Sequence, residues 1–136
     1  MQRPSAEPMA VIGAGSWGTA LAIQLAREGH PTQLWGRDGV QLDAMRRARR
    51  NVRYLPDAEF PAGLQVADDL RQALETARDA LIAVPSHAFR ATLESIKPCL
   101  GPDTRIAWAT KGFEIATGLL PHEVARQILG ARPGAV

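Results

Sequence analysis

The run from Met9 to Glu28, MAVIGAGSWGTALAIQLARE, constrains this chain more than any other stretch. Met9 to Ile12 is an apolar segment of strand length. Gly13-Ala14-Gly15-Ser16-Trp17-Gly18 then fills a GxGxxG frame, and helix-forming residues run from Thr19 to Gly29. The expectation is strand, glycine turn, helix. Each glycine has a physical reason in that plan. Gly13 permits a tight turn out of the strand. Gly15 has no Cβ and lets a pyrophosphate approach the backbone, and Gly18 lets the helix lie close against a sheet. The helix N-terminus offers unpaired N–H groups and a partial positive charge to phosphates. With strand and helix legible on either side, the pattern points to dinucleotide binding, the alternative being a turn that only connects elements.

The remaining chain supports a single core. At 136 residues and 46% hydrophobic content it can bury one sizeable interior. A net charge of +2 demands no polyanionic partner, and the single cysteine, Cys99, cannot form an internal disulfide. No spacing suits a metal, the N-terminus MQRPSAEP has no apolar signal core, and the longest apolar runs are far too short for a membrane span. A soluble, cytoplasmic protein without membrane insertion is expected. Residues 1–8 are polar and proline-containing and read as a flexible arm, so the folded domain is expected over 9–136.

Taken in order, Leu21, Ala22 and Leu25 share a helix face with Gly18 and are expected against the sheet, with Gln24, Arg27 and Glu28 outward. Gly29 ends the helix. A second strand follows over 32–35, then Gly36-Arg37-Asp38. In such a unit the tip of the second strand meets the adenosine ribose, about 20 residues past the glycines. A carboxylate there bonds the ribose hydroxyls of NAD. Here Gly36 and Arg37 come first, and a guanidinium suits a 2′-phosphate, so Arg37 favours NADP over NAD. Asp38 is the expected cap of the next helix.

From Val40 to Arg53 the chain is basic, with Arg46, Arg47, Arg49, Arg50 and Arg53. Clustered arginine is a footprint of nucleic-acid binding, but aromatic interleaving is slight and net charge low, so a solvated helix face is the reading and no nucleic acid is expected. Residues 51–56 read as a loop with a proline-directed turn. Further strands are expected over 64–67, 79–84 and 105–110. Helices are expected from a cap at Asp68-Asp69 to about Ala77, and from a cap at Ser86 over 87–97. Alternating strand and helix predicts an α/β fold, a doubly wound, mainly parallel sheet with helices on both faces.

Ligands of such sheets sit outside the C-terminal strand ends. Those ends gather residues 13–17, Arg37, residues 84–87 and residues 110–112 into one crevice. Lys111, placed there, could bind an anionic substrate or polarise its carbonyl. An imidazole suits acid or base work, but His87 has no carboxylate partner in sequence, and it is not assigned to catalysis. Trp17, Trp35 and Trp108 read as packing residues, although Trp17 lies inside the turn where it would be placed over a cofactor.

GAGSWGTALA, LWGRD, RNVRYLPD, AVPSHAFR and WATKGFE resemble the successive motifs of bacterial NAD(P)-dependent glycerol-3-phosphate dehydrogenase, in that family's order, over most of residues 9–114. The resemblance implies reduction of dihydroxyacetone phosphate to glycerol 3-phosphate with NAD(P)H, for phospholipid synthesis. It implies cofactor contacts from Ser16 and Trp17 in the glycine turn and from Arg37 at the adenosine end. It also implies that Lys111 touches both cofactor and phosphorylated substrate. In that family a second, mostly helical domain carries the catalytic lysine, so no catalytic residue is assigned here. The chain is expected to be a domain of a longer enzyme, which as a full-length protein could be a homodimer. Holding a substrate carbon against a nicotinamide takes both halves of a crevice. Cofactor binding with little or no turnover is therefore expected of this chain alone. The competing readings are a related two-domain dehydrogenase of another hydroxy substrate, and a stand-alone NAD(P)-binding sensor or interaction module.

Overall fold

In the computed structural model, which describes residues 6–131, Met9–Ile12 forms β1, the middle strand of a five-stranded sheet. Residues 1–5 of the expected arm, and the final residues 132–136, lie outside the described residues. Pro8, also assigned to the arm, is tied to the sheet: its carbonyl accepts the Arg78 N–H at 2.9 Å. The Glu7 carbonyl lies 2.9 Å from His30 Nδ1.

After β1 come α1 (Ser16–Arg27), β2 (Thr32–Trp35), α2 (Gly39–Ala48), β3 (Arg50–Asn51) and β4 (Leu55–Glu59). The chain continues through β5 (Leu64–Val66), α3 (Leu70–Glu75), β6 (Asp79–Ile82), α4 (Ser86–Ile96), a 3-10 turn (Lys97–Cys99), β7 (Arg105–Trp108) and α5 (Pro121–Leu129). The sheet order is β5-β2-β1-β6-β7, every pairing parallel. Met9 pairs with Thr32 on one side and Asp79 on the other. The short apolar strands show why: parallel strands are covered on both faces and need no polar alternation.

Two cores result. Val11 and Leu34 point to the side carrying α1, α2 and Phe60, whereas Ala10 and Ile12 point to the side carrying α3, α4 and α5. On the second side Phe89 meets Trp108 edge to face, with ring centroids 5.7 Å apart.

Four expectations need correction. Leu21 and Leu25 are only half-buried; the face of α1 against the sheet is Gly18, Thr19, Ala22, Ile23 and Ala26. Gly18, Ala22 and Ala26 recur every fourth residue, and a seam of small side chains brings the helix in close while the leucines flank it. Residues 51–56 are not simply a loop, because β3 and β4 pair as an irregular antiparallel hairpin. Pro56 disguises it, since proline is unusual in a strand and tolerated at an edge. Ser86 does not cap α4: Pro85 occupies that position and makes no side-chain bond. Finally, α5 has no counterpart among the expected helices, although Pro121 at its first turn and Gly130 (φ 71°) beyond its end are the ordinary marks of one.

The basic run is largely used internally. Arg46 pairs with Asp43 and Asp68 at 2.8 and 2.9 Å. Arg49, in left-handed conformation at the end of α2, donates to the Pro61 carbonyl at 2.9 Å, and Arg50 to the Pro56 carbonyl at 3.1 Å. Among the described residues, no helix is long and apolar enough to cross a membrane.

Candidate dinucleotide site

Strand order runs outward in opposite directions from β1 and β6, so the loops leaving these two strands diverge and open a crevice. The structure has a cleft of about 410 Å³ there. It is lined by residues 12–16 of the glycine turn, residues 35–38 at the tip of β2, and residues 83–85 at the tip of β6. The first turns of α4 and the hairpin residues Arg53 and Tyr54 complete it.

The glycine turn is held against the sheet. Gly13 N–H donates to the Trp35 carbonyl at 2.7 Å, and Ala83 N–H to the Ile12 carbonyl at 2.8 Å, extending the pairing past the strand ends. Gly13 has φ +122°, and a Cβ there would strike the Ala83 carbonyl. A Cβ on Gly18 would strike the Gly13 carbonyl oxygen. These two glycines are needed by the fold itself. Gly15 differs: a Cβ built there meets nothing within 4 Å, so its bareness serves whatever approaches from the cleft. It precedes Ser16 at the uncapped start of α1, where the first N–H groups have no intrahelical partner. A cradle of this kind takes an anion.

At the tip of β2, Gly36 packs on Ala14 so closely that a Cβ added to it would fall 2.8 Å from the Ala14 Cβ. Arg37 is exposed on the cleft wall. Asp38 caps α2 as expected: its Oδ1 accepts the N–H groups of Val40 and Gln41 at 3.0 and 3.3 Å.

Sequence reasoning misses Asn51. It is fully buried, and its Nδ2 donates to the Ala14 carbonyl at 3.0 Å and to Thr19 Oγ1 at 2.8 Å. Its Oδ1 accepts the Tyr54 N–H at 3.2 Å, and Gln41 Nε2 also reaches the Ala14 carbonyl at 2.9 Å. One amide therefore joins the glycine turn, α1 and the hairpin. The only hint in the sequence is its place in RNVRYLPD.

Residues 8–136 match the family described as NAD-dependent glycerol-3-phosphate dehydrogenase N-terminus. The chain belongs to this family. Glycerol-3-phosphate dehydrogenase [NAD(P)+] of Aeromonas hydrophila is 53% identical over 122 residues, covering 90% of this chain and 36% of that protein. The Photorhabdus laumondii enzyme of the same name is 54% identical over the same shares. The crystal structure of glycerol-3-phosphate dehydrogenase from Coxiella burnetii superposes with a TM-score of 0.89 at 44% identity, covering 95% of this chain and 39% of that one. The chain thus spans somewhat over a third of the relatives it matches. Synechocystis arogenate dehydrogenase, at 23% identity and TM-score 0.66, shares the fold.

Within this glycerol-3-phosphate dehydrogenase domain, the residues expected from sequence divide into two groups. Gly13, Gly15, Ser16 and Arg37 line the cleft, and Gly18 lies beneath it. Trp17 stands 62% exposed beside the turn, and Lys111 is exposed past the tip of β7; neither is among the residues lining the cleft. Trp35 lines it, and Trp108 packs against the core. His87 stands exposed at the cleft margin.

The Lys111 segment is anchored on both sides. Thr110 Oγ1 donates to the Val84 carbonyl at 2.7 Å, joining the tips of β7 and β6. Arg90 on α4 grips Glu114 with two bonds of 2.9 and 3.0 Å and donates to Gln127 of α5 at 2.9 Å. The Arg90 guanidinium, and after it the Thr117 hydroxyl, hold the Glu114 carboxyl below the usual carboxylate range. Among the described residues, no cluster of side chains could hold a metal ion.

Proposed function

We propose that this chain binds NAD(P)H as the cofactor domain of an enzyme interconverting dihydroxyacetone phosphate and glycerol 3-phosphate. The observation that carries this is the cleft at the β1/β6 divergence, closed by the uncapped start of α1 and bounded at one end by Arg37. Family membership supports the substrate. The relatives' names specify both nucleotides.

In this reading the N–H groups at the start of α1 hold the pyrophosphate, with Gly15 leaving room for its approach and Ser16 and Trp17 beside it. Arg37 pairs with a 2′-phosphate, giving a preference for NADPH. Held there by the start of α1 and Arg37, a reduced nicotinamide cofactor would supply the hydride for the substrate's carbonyl carbon. Lys111, past the tip of β7 and outside the cleft lining, is assigned to the phosphorylated substrate and the cofactor on the family resemblance, its segment fixed by the Thr110 and Glu114 bonds. No residue of this chain is assigned as the acid that protonates the carbonyl oxygen. The longer enzyme works in the cytoplasm and can pair as a homodimer.

Titration with NADPH and NADH, followed by quenching of tryptophan fluorescence, to which Trp35 at the cleft wall contributes, tests the reading. NADPH is expected to bind more tightly than NADH, and Arg37→Ala to weaken NADPH about tenfold, the worth of one charge-assisted pair. Failure of both nucleotides to bind overturns it.

A further inference from the structure

We propose that Asp38 and Arg53 form an exchangeable charge pair reading the adenosine 2′ position: Arg53 is a second reader of a 2′-phosphate beside Arg37, and Asp38 accepts a free 2′-hydroxyl. The inference rests on the cleft being a dinucleotide site.

Arg37 leaves the tip of β2, whereas Arg53 comes from the turn between β3 and β4, yet both line the one cleft. Arg53 Nη1 lies 3.8 Å from Asp38 Oδ2. That is an ion pair too long to be a hydrogen bond. Its side chains are 63% and 51% exposed, so water screens it and exchanging it costs little. The other Asp38 oxygen, Oδ1, is committed to capping α2, which fixes the carboxylate while leaving Oδ2 available. Arg53 has its own support: the guanidinium carbon lies 5.0 Å from the centroid of the Tyr54 ring. The Tyr54 backbone is in turn bonded to Asn51. Arg53 is therefore retained at the cleft margin when it leaves Asp38.

The balance of charge decides which partner Arg53 takes. A dianionic 2′-phosphate beside an uncompensated carboxylate would be repelled. Two guanidiniums outweigh one carboxylate, and Arg53 turns from Asp38 to the phosphate. With a plain ribose, Arg53 stays on Asp38 while Oδ2 accepts the hydroxyl. One site accommodates both nucleotides because its cation and its anion are each supplied and neither is tightly committed.

The test measures binding of NADPH and NADH by the chain and by Arg53→Ala, Arg53→Lys and Asp38→Asn. Asparagine preserves the helix cap, so Asp38→Asn removes charge without removing that bond. Arg53→Ala is expected to weaken NADPH about tenfold and NADH less than twofold. Arg53→Lys should fall between. Asp38→Asn is expected to weaken NADH several-fold and leave NADPH equal or tighter. Adenosine 2′,5′-bisphosphate against 5′-AMP should reproduce the Arg53 effect without the nicotinamide half. Equal losses for both nucleotides in Arg53→Ala, or no loss, overturn the proposal while leaving the cleft reading intact. Binding of neither nucleotide to the unaltered chain overturns both.

Discussion

Asn51→Ala should destabilise this domain by about 3 kcal/mol, summing three lost hydrogen bonds of about 1 kcal/mol each. They are those to the Ala14 carbonyl, to Thr19 Oγ1 and from the Tyr54 N–H, at 3.0, 2.8 and 3.2 Å. Two features keep the sum from rising further. The Ala14 carbonyl retains Gln41 Nε2, so it is not orphaned. The Thr19 hydroxyl can turn to the carbonyl one helical turn back. The 3.5 Å contact between Gln41 and Asn51 is too long to add much. Urea unfolding followed by tryptophan fluorescence gives the number, and a drop in Tm of about 10 °C is expected for a chain of this size. Asn51→Asp is the sharper companion, since it leaves a buried carboxylate facing the Ala14 carbonyl and should cost at least as much. Thr19→Ala alone should cost about 1 kcal/mol, and its effect in the Asn51→Ala background should nearly vanish. Loss of less than 0.5 kcal/mol in Asn51→Ala, about the size of an ordinary surface change, would refute the claim that this amide holds turn, helix and hairpin together.

The glycines separate fold from ligand. Gly18→Ala should cost about 1–3 kcal/mol by overpacking against the Gly13 carbonyl. Gly15→Ala should leave Tm unchanged and weaken nucleotide binding, as calorimetry and titration can check together. For Glu114, the folded carboxyl titrates below its unfolded value, so in that window the unfolded chain binds more protons and stability rises with pH. The stabilisation is present above the ordinary glutamate range and disappears as pH falls through the lower folded value. Glu114→Gln should flatten the acid limb of a plot of Tm against pH; an unchanged limb would show that Arg90 adds nothing there.

The part of this fold legible in the sequence is local. The unit from β1 to α1 and the Asp38 cap depend on residues within a few positions of one another, and propensity and spacing register such patterns. Asn51 depends on partners 37 and 32 residues away, so nothing beside it in the chain announces its role. The hairpin is obscured because Pro56, Asp57 and Glu59 are poor strand formers, kept in place by Arg50 and by the packing of Leu55 and Ala58 beneath α1. The face of α1 is easily misjudged because hydrophobicity favours leucine, whereas close approach to a sheet selects alanine and glycine. Arg53 is legible as a charge but not as a neighbour of Asp38.

The contact of Gly18 with the Gly13 carbonyl also decides where this domain can give way. Helix backbone rests directly on the backbone of the turn that leaves β1, with no side chain between to compress or rotate, so the start of α1 is held as firmly as the turn beneath it. A stiff cradle holds its donors in place before any ligand arrives, and little ordering entropy is lost there on capture. Under the binding mode proposed above, accommodation would fall to the exposed side chains of Arg53 and Tyr54, on a hairpin whose backbone Asn51 holds to the turn. Under that proposal the domain would offer a fixed anvil for the part that both nucleotides share and adjustable side chains for the part that distinguishes them.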